Sequence, residues 1–251
     1  EFIKIYIKNN TKMNIYKDKT ILVTGGTGMI GQPLVRLLLE KGAQVRIVSI
    51  DDSALANPNA EFLQLDLRHF DQCLKACDGM DFVFNLVGIK GSPAMTAKQP
   101  ASFFVPTLQF SINMMEAAHR QGVKKYLFTS SVGVYEPAEV LYEDDVWKTF
   151  PSEHDKFAGW AKRIGELQIE AFSKEFKFES MHIVRPANIY GPFGNFNPKS
   201  SMVVSSLIKK FADNQNPIIV WGDGSAKRDF VYSEDVANCM MQIMHKKQEN
   251  P

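Results

Sequence analysis

Three glycines stand three residues apart at Gly25, Gly28 and Gly31, between an apolar run at residues 21–24 and a helical run. Glycine permits a tight turn off a strand, lets the backbone approach a phosphate and lets a helix begin close to a sheet. The N-terminus of the following helix adds unpaired N–H groups and a positive dipole. The pattern predicts a site for the pyrophosphate of a dinucleotide, with a purely structural glycine turn as the alternative.

Asp51 follows the second apolar run, residues 44–49, and stands twenty residues after Gly31. An acidic side chain at this place hydrogen-bonds the adenosine ribose hydroxyls and repels a 2′-phosphate. Asp51 therefore indicates NAD. The structural alternative is that Asp51 and Asp52 only open a turn with Ser53.

Strand and helix patterns alternate along most of the chain. Strands that are apolar on both faces, separated by helices, indicate a parallel sheet covered on both sides. With right-handed crossovers we predict the α/β class, a doubly wound parallel sheet of Rossmann type over residues 13–187. The predicted strands are residues 21–24, 44–49, 62–66, 82–86, 126–130 and 180–185, and the predicted helices are 31–41, 70–77, 106–121 and 160–176.

From residue 188 the pattern loosens, and we predict a small, incomplete C-terminal substrate-binding lobe over residues 188–251. Its predicted parts are a loop at 190–200, helices at 202–211 and 235–245, and a strand at 217–221. Ligands of doubly wound sheets bind beyond the carboxyl ends of the strands, so the cleft between the two parts is the expected substrate site. Residues 1–12 are interpreted as a leader or an expression remnant, with an extra edge strand as the alternative.

The 251 residues are 45% hydrophobic and 23% charged, as expected of a globular protein. A net charge of +1 gives no reason to expect nucleic acid or a membrane surface as a partner. The three cysteines lack the paired spacing of a metal site, and Cys73 and Cys77 fall in one predicted helix. We therefore expect buried thiols, no metal, and a cytoplasmic location.

Further motifs follow the glycine pattern along the chain. They lie at residues 24–31 (TGGTGMIG), 65–67, 129–135, 159–166, 185–192 (RPANIYGP), 222–224 and 228–231. In this order and spacing they resemble the extended short-chain dehydrogenase/reductase family, and within it the NAD(P)-dependent nucleotide-sugar epimerases, dehydratases and reductases. The resemblance covers residues 19–247, nearly the whole chain.

The resemblance implies hydride transfer between a nicotinamide and a sugar carbon. In this family a tyrosine acts as general acid/base on the sugar hydroxyl, and a lysine four residues later lowers its pKa and binds the nicotinamide ribose. A serine hydrogen-bonds the same oxygen. Ser131 matches the serine and Lys162 matches the lysine, so both are expected to be catalytic. Ala158 stands where the tyrosine is expected, and alanine cannot move a proton.

Three explanations of Ala158 are open: the residue has been altered in this chain, another group acts as acid/base, or the protein binds cofactor without turnover. The match at Ser131 and Lys162 favours an enzyme. No acidic pair directly follows Ser131, which counts against a dehydratase. The side chains that could substitute for the tyrosine are Tyr135, Tyr142, Glu143, Asp144, Asp145, Glu153, His154 and Asp155; for residues 143–145 a solvated loop is the alternative.

The resemblance also bears on the cofactor. Ser49 lies where close family members carry their NAD-selecting aspartate, and a serine with Arg46 nearby would tolerate NADP. We expect NAD or NADP, with NAD favoured because of Asp51. Asp66 matches the residue that contacts adenine, with capping of the next helix as the alternative. The expected cofactor-binding residues are Gly25, Thr27, Gly28, Met29, Ile30, Gly31, Asp51, Asp66, Leu67, Lys162 and Pro186.

Asn188 and Arg228 match residues that bind the substrate diphosphate in this family. Arginine suits that task because its guanidinium is a planar, permanently charged fork. Together with Ser131 they are the expected substrate-binding residues. The alternative for Arg228 is a surface salt bridge with Asp229 or Glu234.

The predicted long helix at 106–121 is rich in apolar residues such as Phe110 and Met114. In this family that helix often forms a four-helix bundle across a dimer interface, and burial against the sheet is the alternative. We expect a homodimer that epimerises or reduces a nucleotide-diphosphate sugar. The alternative function, suggested by Ala158, is a non-catalytic NAD(P)-binding sensor or scaffold.

Overall fold

The computed structural model describes residues 14–89, 93–176, 178, 180–197, 200–220 and 222–246. Residues 1–12, expected to be a leader or remnant, lie outside the described residues. The strands are β1 (Thr20–Thr24), β2 (Gln44–Ser49), β3 (Glu61–Gln64), β4 (Phe82–Asn85), β5 (Lys125–Thr129), β6 (Met181–Val184), β7 (Asn188–Tyr190) and β8 (Phe230–Tyr232). The helices are α1 (Gly31–Glu40), α2 (Phe70–Cys77), α3 (Pro93–Lys98), α4 (Pro100–Arg120), α5 (Lys156–Phe176), α6 (Val203–Ala212) and α7 (Ser233–Met244).

Strands β1 to β6 form one parallel sheet in the order β3-β2-β1-β4-β5-β6. This is the strand order of a dinucleotide-binding fold, and the order reverses beside β1. The predicted α/β class and the doubly wound parallel sheet are confirmed. The carboxyl ends of β1, β2, β4 and β5 therefore meet along one edge, where the predicted site residues follow the strands.

Side chains of the sheet enter two hydrophobic cores because successive residues of a strand point to opposite faces. In β1, Ile21 and Val23 pack with α1 and α7, whereas Leu22 packs with α2 and α4. Both cores contain fully buried side chains, including Leu34 on α1 and Met114 on α4. The sheet is thus covered on both faces, as the apolar strands predict.

Helices α4 and α5 begin earlier than the sequence predicts. Pro106 is the expected first residue of α4 but lies inside it, since the helix begins at Pro100. The added turns are packed, because the ring of Phe104 contacts that of Phe157 with their centroids 5.9 Å apart. Helix α5 begins at Lys156 rather than at residue 160. Tertiary contacts therefore extend both helices beyond their local sequence signals.

The second part of the chain differs from the prediction at two places. Residues 188–190 and 230–232 form a short parallel pair, β7 with β8, which the sequence pattern did not predict. Three residues per strand are too few to show an alternating pattern. The predicted strand at 217–221 is wrong over its described part, 217–220, because no described strand pairs with it and Ile219 is exposed; Trp221 lies outside the described residues.

Cys73 and Cys77 are buried in α2, and burial raises the pKa of each thiol to about 12. Cys239 is unpaired and exposed. Within the described ranges, no helix is both long and apolar enough to cross a membrane, and no group of three or more His, Cys, Asp or Glu residues could bind a metal ion.

Candidate active site at the carboxyl ends of β1, β2 and β5

The glycine loop turns sharply off β1. Gly25 has a φ of +67°, and its N–H donates a hydrogen bond of 2.8 Å to the carbonyl of Val48 on β2. A Cβ on Gly31 would lie 2.3 Å from the carbonyl oxygen of Gly25, so α1 begins directly against the turn. A Cβ on Gly28 would meet only that same oxygen within 4 Å among the described atoms. Gly31 is thus required by packing, while Gly28 is close only to the turn itself and is not covered by any other described segment.

Helix α1 begins beside this open backbone without a side-chain cap. Ile30 is the N-cap residue, and its side chain offers no hydrogen bond to the first turn. Uncapped N–H groups and the positive end of the helix dipole are what a pyrophosphate requires. Met29 reaches toward the second part of the chain, with its methyl carbon 3.8 Å from the Cβ position of Gly194. These residues fit a dinucleotide pyrophosphate.

Asp51 is hydrogen-bonded to the glycine loop. The Thr27 hydroxyl donates to its carboxylate at 2.6 Å, and the Ser49 hydroxyl donates to the same oxygen at 3.0 Å. Arg46 does not join them. Its guanidinium pairs with Glu61 at 2.8 Å and donates to the carbonyls of Ala76 and Asp78. The prediction that Ser49 with Arg46 would accommodate a 2′-phosphate is therefore wrong about Arg46, because its side chain is already bound elsewhere.

Asp66 follows β3, as expected, and its carboxylate is bound by Arg68. The Arg68 side chain donates to both carboxylate oxygens at 2.9 Å, and these hydrogen bonds lower the pKa of Asp66. The alternative role of Asp66 as a helix cap is wrong, because His69 is the N-cap residue of α2 and no side chain caps that helix. Leu67 is buried, and its carbonyl accepts a hydrogen bond from the thiol of Cys73.

A buried polar chain, which the sequence analysis missed, supports the loop after β4. The Thr24 hydroxyl donates to the Asn85 carbonyl at 2.7 Å, and the Asn85 amide donates to the Tyr126 hydroxyl at 2.7 Å. The N–H groups of Leu86 and Val87 donate to the Thr24 hydroxyl at 3.1 and 3.2 Å. The signal available in the sequence was a polar residue at the end of each of two otherwise apolar strands.

Ser131 and Lys162 both lie at the carboxyl end of β5. The Lys162 ammonium donates a hydrogen bond of 2.8 Å to the carbonyl of Thr129, and the Ser131 hydroxyl accepts one of 3.1 Å from the N–H of Gly133. The hydroxyls of Thr129 and Ser130 are buried and have no hydrogen-bond partner within the described part of the chain. The structure thus brings together the two residues expected to be catalytic.

Ala158 lies in the first turn of α5, one turn before Lys162, and is exposed. Next to it, a Cβ on Gly159 would lie 2.3 Å from the carbonyl oxygen of Gly133. Because Gly159 has no side chain, α5 can contact the turn that carries Ser131. Gly159 belongs to the motif at residues 159–166, whose spacing does not predict this packing role.

The groups that could replace a tyrosine at position 158 differ in their surroundings. The Tyr135 hydroxyl accepts a hydrogen bond of 3.0 Å from Arg185. Asp145 pairs with Lys148 at 3.0 Å, and Glu153 pairs with Lys156 at 3.2 Å. Glu153 is exposed, as are Tyr142, Glu143, Asp144, His154 and Asp155. Of these, Asp155 is the one that the structure places beside Ser131: its carboxyl carbon and the Ser131 hydroxyl lie 3.4 and 3.5 Å from the Cβ position of Gly133.

A buried ion pair, which the sequence did not predict, supports the segment after Ser131. Arg185 follows β6 and donates to both carboxylate oxygens of Glu166, at 2.9 and 2.8 Å. It also donates to the Tyr135 hydroxyl and to the carbonyl of Glu143, each at 3.0 Å. Burial alone would lower the pKa of Arg185, but its hydrogen bonds and charge pairing with Glu166 outweigh burial and raise it. Arg185 thus connects α5 with the segment after Ser131.

The residues expected to bind substrate lie on β7 and next to β8. The Asn188 amide donates a hydrogen bond of 2.9 Å to the carbonyl of Asp229, beside Arg228. The Arg228 guanidinium is exposed and forms no salt bridge with Asp229 or Glu234 among the described residues; Glu234 pairs with Arg36 at 2.8 Å instead. The salt-bridge alternative for Arg228 is therefore wrong.

Pro186 stands two residues before β7. Its carbonyl accepts a hydrogen bond of 3.2 Å from the N–H of Val132, directly after Ser131. The turn that carries Ser131 is thus connected to the segment that leads to Asn188. The residues expected to bind cofactor and those expected to bind substrate thus lie on connected segments.

Comparison with known proteins identifies several relatives. The chain is 28% identical to GDP-mannose 3,5-epimerase 1 of Oryza sativa subsp. japonica over 232 residues, covering 89% of this chain and 60% of the relative. The chain thus spans about three fifths of that curated relative's length.

Two solved structures are also similar. One is a UDP-N-acetylglucosamine 4-epimerase from Methanobrevibacter ruminantium M1 in complex with UDP-N-acetylmuramic acid, with a TM-score of 0.81, 25% identity and coverage of 93% of this chain and 75% of that one. The other is MoeE5 in complex with UDP-glucose and NAD, with a TM-score of 0.78, 26% identity and coverage of 92% and 73%.

The family model described as the NAD dependent epimerase/dehydratase family matches residues 21–251, from the first strand onward. This range contains the glycine loop, the β5 end and the β7–β8 pair. The chain belongs to the NAD dependent epimerase/dehydratase family.

Proposed function

We propose that this protein epimerises or reduces a nucleotide-diphosphate sugar by hydride transfer with a nicotinamide dinucleotide. The observation that carries the proposal is the glycine loop: Gly28 presents open backbone beside an uncapped helix, with the Asp51 carboxylate alongside. The related proteins named above act on GDP- or UDP-linked sugars according to their names. The bound dinucleotide would accept the hydride from the sugar and return it.

On the cofactor side, residues 25–31 would bind the pyrophosphate through backbone N–H groups and the dipole of α1. Asp51 would accept hydrogen bonds from the adenosine ribose, and Asp66 with Leu67 would border the adenine. Lys162 and Pro186 would border the nicotinamide end, because both contact the segment 129–132 at the carboxyl end of β5.

We propose NAD in preference to NADP. Asp51 is negatively charged and hydrogen-bonded into the loop by Thr27 and Ser49, so it would repel a 2′-phosphate. Arg46 cannot offset that repulsion, because its guanidinium is already bound to Glu61 and two carbonyls. The position of Asp51 beside the loop and the pairing of Arg46 elsewhere both support NAD.

On the substrate side, Ser131 would hydrogen-bond the reacting sugar hydroxyl. Asn188 and Arg228 would bind the diphosphate, since the Asn188 amide contacts the carbonyl of Asp229 and the preceding residue, Arg228, has an exposed guanidinium. We propose residues 13–187 as the cofactor-binding unit and 188–251 as a partial substrate-binding unit, with the β7–β8 pair presenting the diphosphate residues.

The proposal is tested by mixing the purified protein with NAD or NADP and a panel of UDP-, GDP-, CDP- and dTDP-sugars while absorbance is followed at 340 nm, the band of the reduced cofactor. Product is identified by chromatography of the sugar nucleotides. A change in cofactor redox state or a new sugar nucleotide supports the enzyme. Tight cofactor binding without either change would favour the sensor or scaffold, which rests on Ala158 alone.

We also propose a homodimer formed by α4 and α5. These helices pack against each other and leave three apolar side chains exposed on neighbouring positions: Val105, Ile112 and Leu167. Ile112 and Leu167 are close, because Gln168 donates a hydrogen bond to the carbonyl of Ile112. Light scattering after size exclusion should show a dimer that Leu167→Glu dissociates, whereas Val140→Glu, on an exposed loop, should leave it intact.

We propose a reducing, cytoplasmic setting for the protein. Three cysteines without disulfides, two of them in the hydrophobic core, support this location. Imaging of a tagged full chain in its native cell tests it.

A further inference from the structure

Asp155 belongs to the same helical path as Ala158 and Lys162. Asp155 directly precedes α5. Its carbonyl accepts a hydrogen bond of 2.6 Å from the N–H of Gly159, in the first turn of the helix. Side chains three and four residues apart lie on one face of a helix. Ala158 and Lys162 therefore share one face of α5, and Asp155, directly before the helix, places an acid three residues from the position that lacks a tyrosine.

The carboxylate of Asp155 lies beside the turn that carries Ser131. Its carboxyl carbon and the Ser131 hydroxyl are 3.4 and 3.5 Å from the same point, the Cβ position of Gly133. Gly133 has no side chain to separate them. The Asp155 carboxylate accepts no hydrogen bond within the described ranges, and the residue is exposed to solvent.

The other acids near Ser131 are less suited to proton transfer. Asp145 and Glu153 are paired with lysines of their own segments. Tyr135 has its hydroxyl bound by the permanently charged Arg185, and the same guanidinium contacts the carbonyl of Glu143. Asp155 combines proximity to Ser131 with a carboxylate that is not engaged in a salt bridge among the described residues.

We propose that Asp155 is the general acid/base of the reaction, in place of a tyrosine at position 158. This inference rests on the proposed function. In the oxidation step the sugar C–H bond breaks as hydride passes to the oxidised nicotinamide, and the hydroxyl O–H bond breaks as its proton passes to the Asp155 carboxylate. The sugar C–O bond becomes C=O. Reduction reverses both transfers, with Asp155 returning the proton.

The other groups at the β5 end have complementary tasks in this scheme. Ser131 would orient the sugar hydroxyl toward Asp155. The Lys162 ammonium would add positive charge beside the oxygen, which favours loss of its proton. Ala158 leaves room for the sugar next to a carboxylate that is shorter than a tyrosine side chain.

The first test compares Asp155→Asn with the matched control Glu153→Gln, which removes a neighbouring exposed acid. NAD affinity and unfolding temperature are measured to show that each variant is folded. In single-turnover reduction of bound NAD by the reactive sugar nucleotide, Asp155→Asn should be about 100- to 10,000-fold slower than the unmodified chain. Glu153→Gln should stay within about threefold. Adding Ala158→Tyr to Asp155→Asn should recover at least about tenfold, because it restores a proton-transferring group on the same helix face.

A second readout measures protection of the Asp155 carboxylate rather than turnover. Exposed carboxylates are coupled to glycine ethyl ester with a water-soluble carbodiimide and quantified by mass spectrometry, with and without UDP-glucose or GDP-mannose in the presence of NADH. Asp155 should be protected several-fold by the sugar nucleotide that the redox screen identifies, while Glu153 and Asp144 should be labelled equally in both states.

Reaction of Asp155→Asn within about threefold of the unmodified chain, or equal labelling of Asp155 with and without the sugar nucleotide, would overturn the role of Asp155 and leave the proposed function standing. If the unmodified chain transfers no hydride with any sugar nucleotide, the proposed function fails first and this proposal fails with it.

Discussion

The hydroxyl of Thr27 donates a hydrogen bond of 2.6 Å to the carboxylate of Asp51, joining the glycine loop to the end of β2. The bond fixes a negative charge beside the backbone that is proposed to bind pyrophosphate. Two separate sequence signals, the glycine spacing and the acid twenty residues later, thus meet in one place.

Asp51→Ala is expected to weaken NAD binding by about 10- to 100-fold, because hydrogen bonds to a charged group contribute about 1.5–3 kcal/mol. It should also raise the affinity for NADP by removing a repelling charge. Calorimetric titration with both dinucleotides measures the two effects. Asp52→Ala is the matched control, since the Asp52 carboxylate accepts a bond only from the N–H of Ala54 among the residues that the structure describes; equal losses in the two variants would contradict the role of Asp51.

Gly31→Ala is expected to lower the free energy of unfolding by about 1–3 kcal/mol, since its Cβ would lie 2.3 Å from the Gly25 carbonyl oxygen. The displaced turn should also lower NADH affinity. Urea unfolding without cofactor measures the stability. Gly88→Ala provides the control, because a Cβ there meets nothing within 4 Å and the change should stay within about 0.5 kcal/mol. If Gly31→Ala is as stable as the unmodified chain, the turn at Gly25 can move away from the added methyl group, which contradicts this prediction.

The glycine loop and the sheet could be predicted because their signals are local. An apolar strand, a glycine turn and a helix follow one another at residues 20–40, and strand alternation with helices determines the layer order. The β7–β8 pair could not be predicted, because each strand has three residues and gains its identity from a partner about forty residues away. The early start of α5 depends equally on a distant contact, that of Gly159 with Gly133.

Tyr126→Phe is expected to cost about 1–3 kcal/mol of stability, because it leaves the buried Asn85 amide without its hydrogen-bond acceptor. Chemical denaturation of the variant against the unmodified chain measures this. Tyr142→Phe is the control, since Tyr142 is exposed and its change should lie within about 0.5 kcal/mol. A neutral Tyr126→Phe would mean that the polar chain below the β4 loop is not needed for folding.

His182 is expected to make stability depend on pH. Burial lowers the pKa of its imidazole to about 4, with smaller effects of Lys125 and Lys246, and its Nε2 has no partner among the described residues. The unfolded chain takes up this proton below about pH 6.5, whereas the folded chain does so only near pH 4. The free energy of unfolding should therefore fall as the pH is lowered between these values, by at most about 3 kcal/mol from this residue.

His182→Leu should remove that part of the pH dependence, and the variant should lose less stability than the unmodified chain between pH 7 and pH 4. Urea unfolding at a series of pH values gives both curves. If the two curves of unfolding free energy against pH are parallel, His182 is protonated as easily in the folded chain as in the unfolded chain, which contradicts the prediction.

The candidate site was predictable in its residue types but not in its connections. Ser131 and Lys162 were recognised from motif spacing, and the structure brings them to one strand end. The guanidinium of Arg46 pairs with Glu61 because the register of β2 with β3 places these two residues side by side. Spacing along the chain does not reveal this pairing. Asp155 could be named from the sequence as one of eight candidates, but only the approach of α5 to Gly133 distinguishes it.

The most direct measurement for the central claim is a titration of the purified chain with NADH and NADPH, followed by protein-to-cofactor fluorescence transfer. A dinucleotide site at the glycine loop predicts saturable NADH binding that is tighter than NADPH binding and is weakened by Gly31→Ala. Failure of a folded chain to bind either dinucleotide would contradict it.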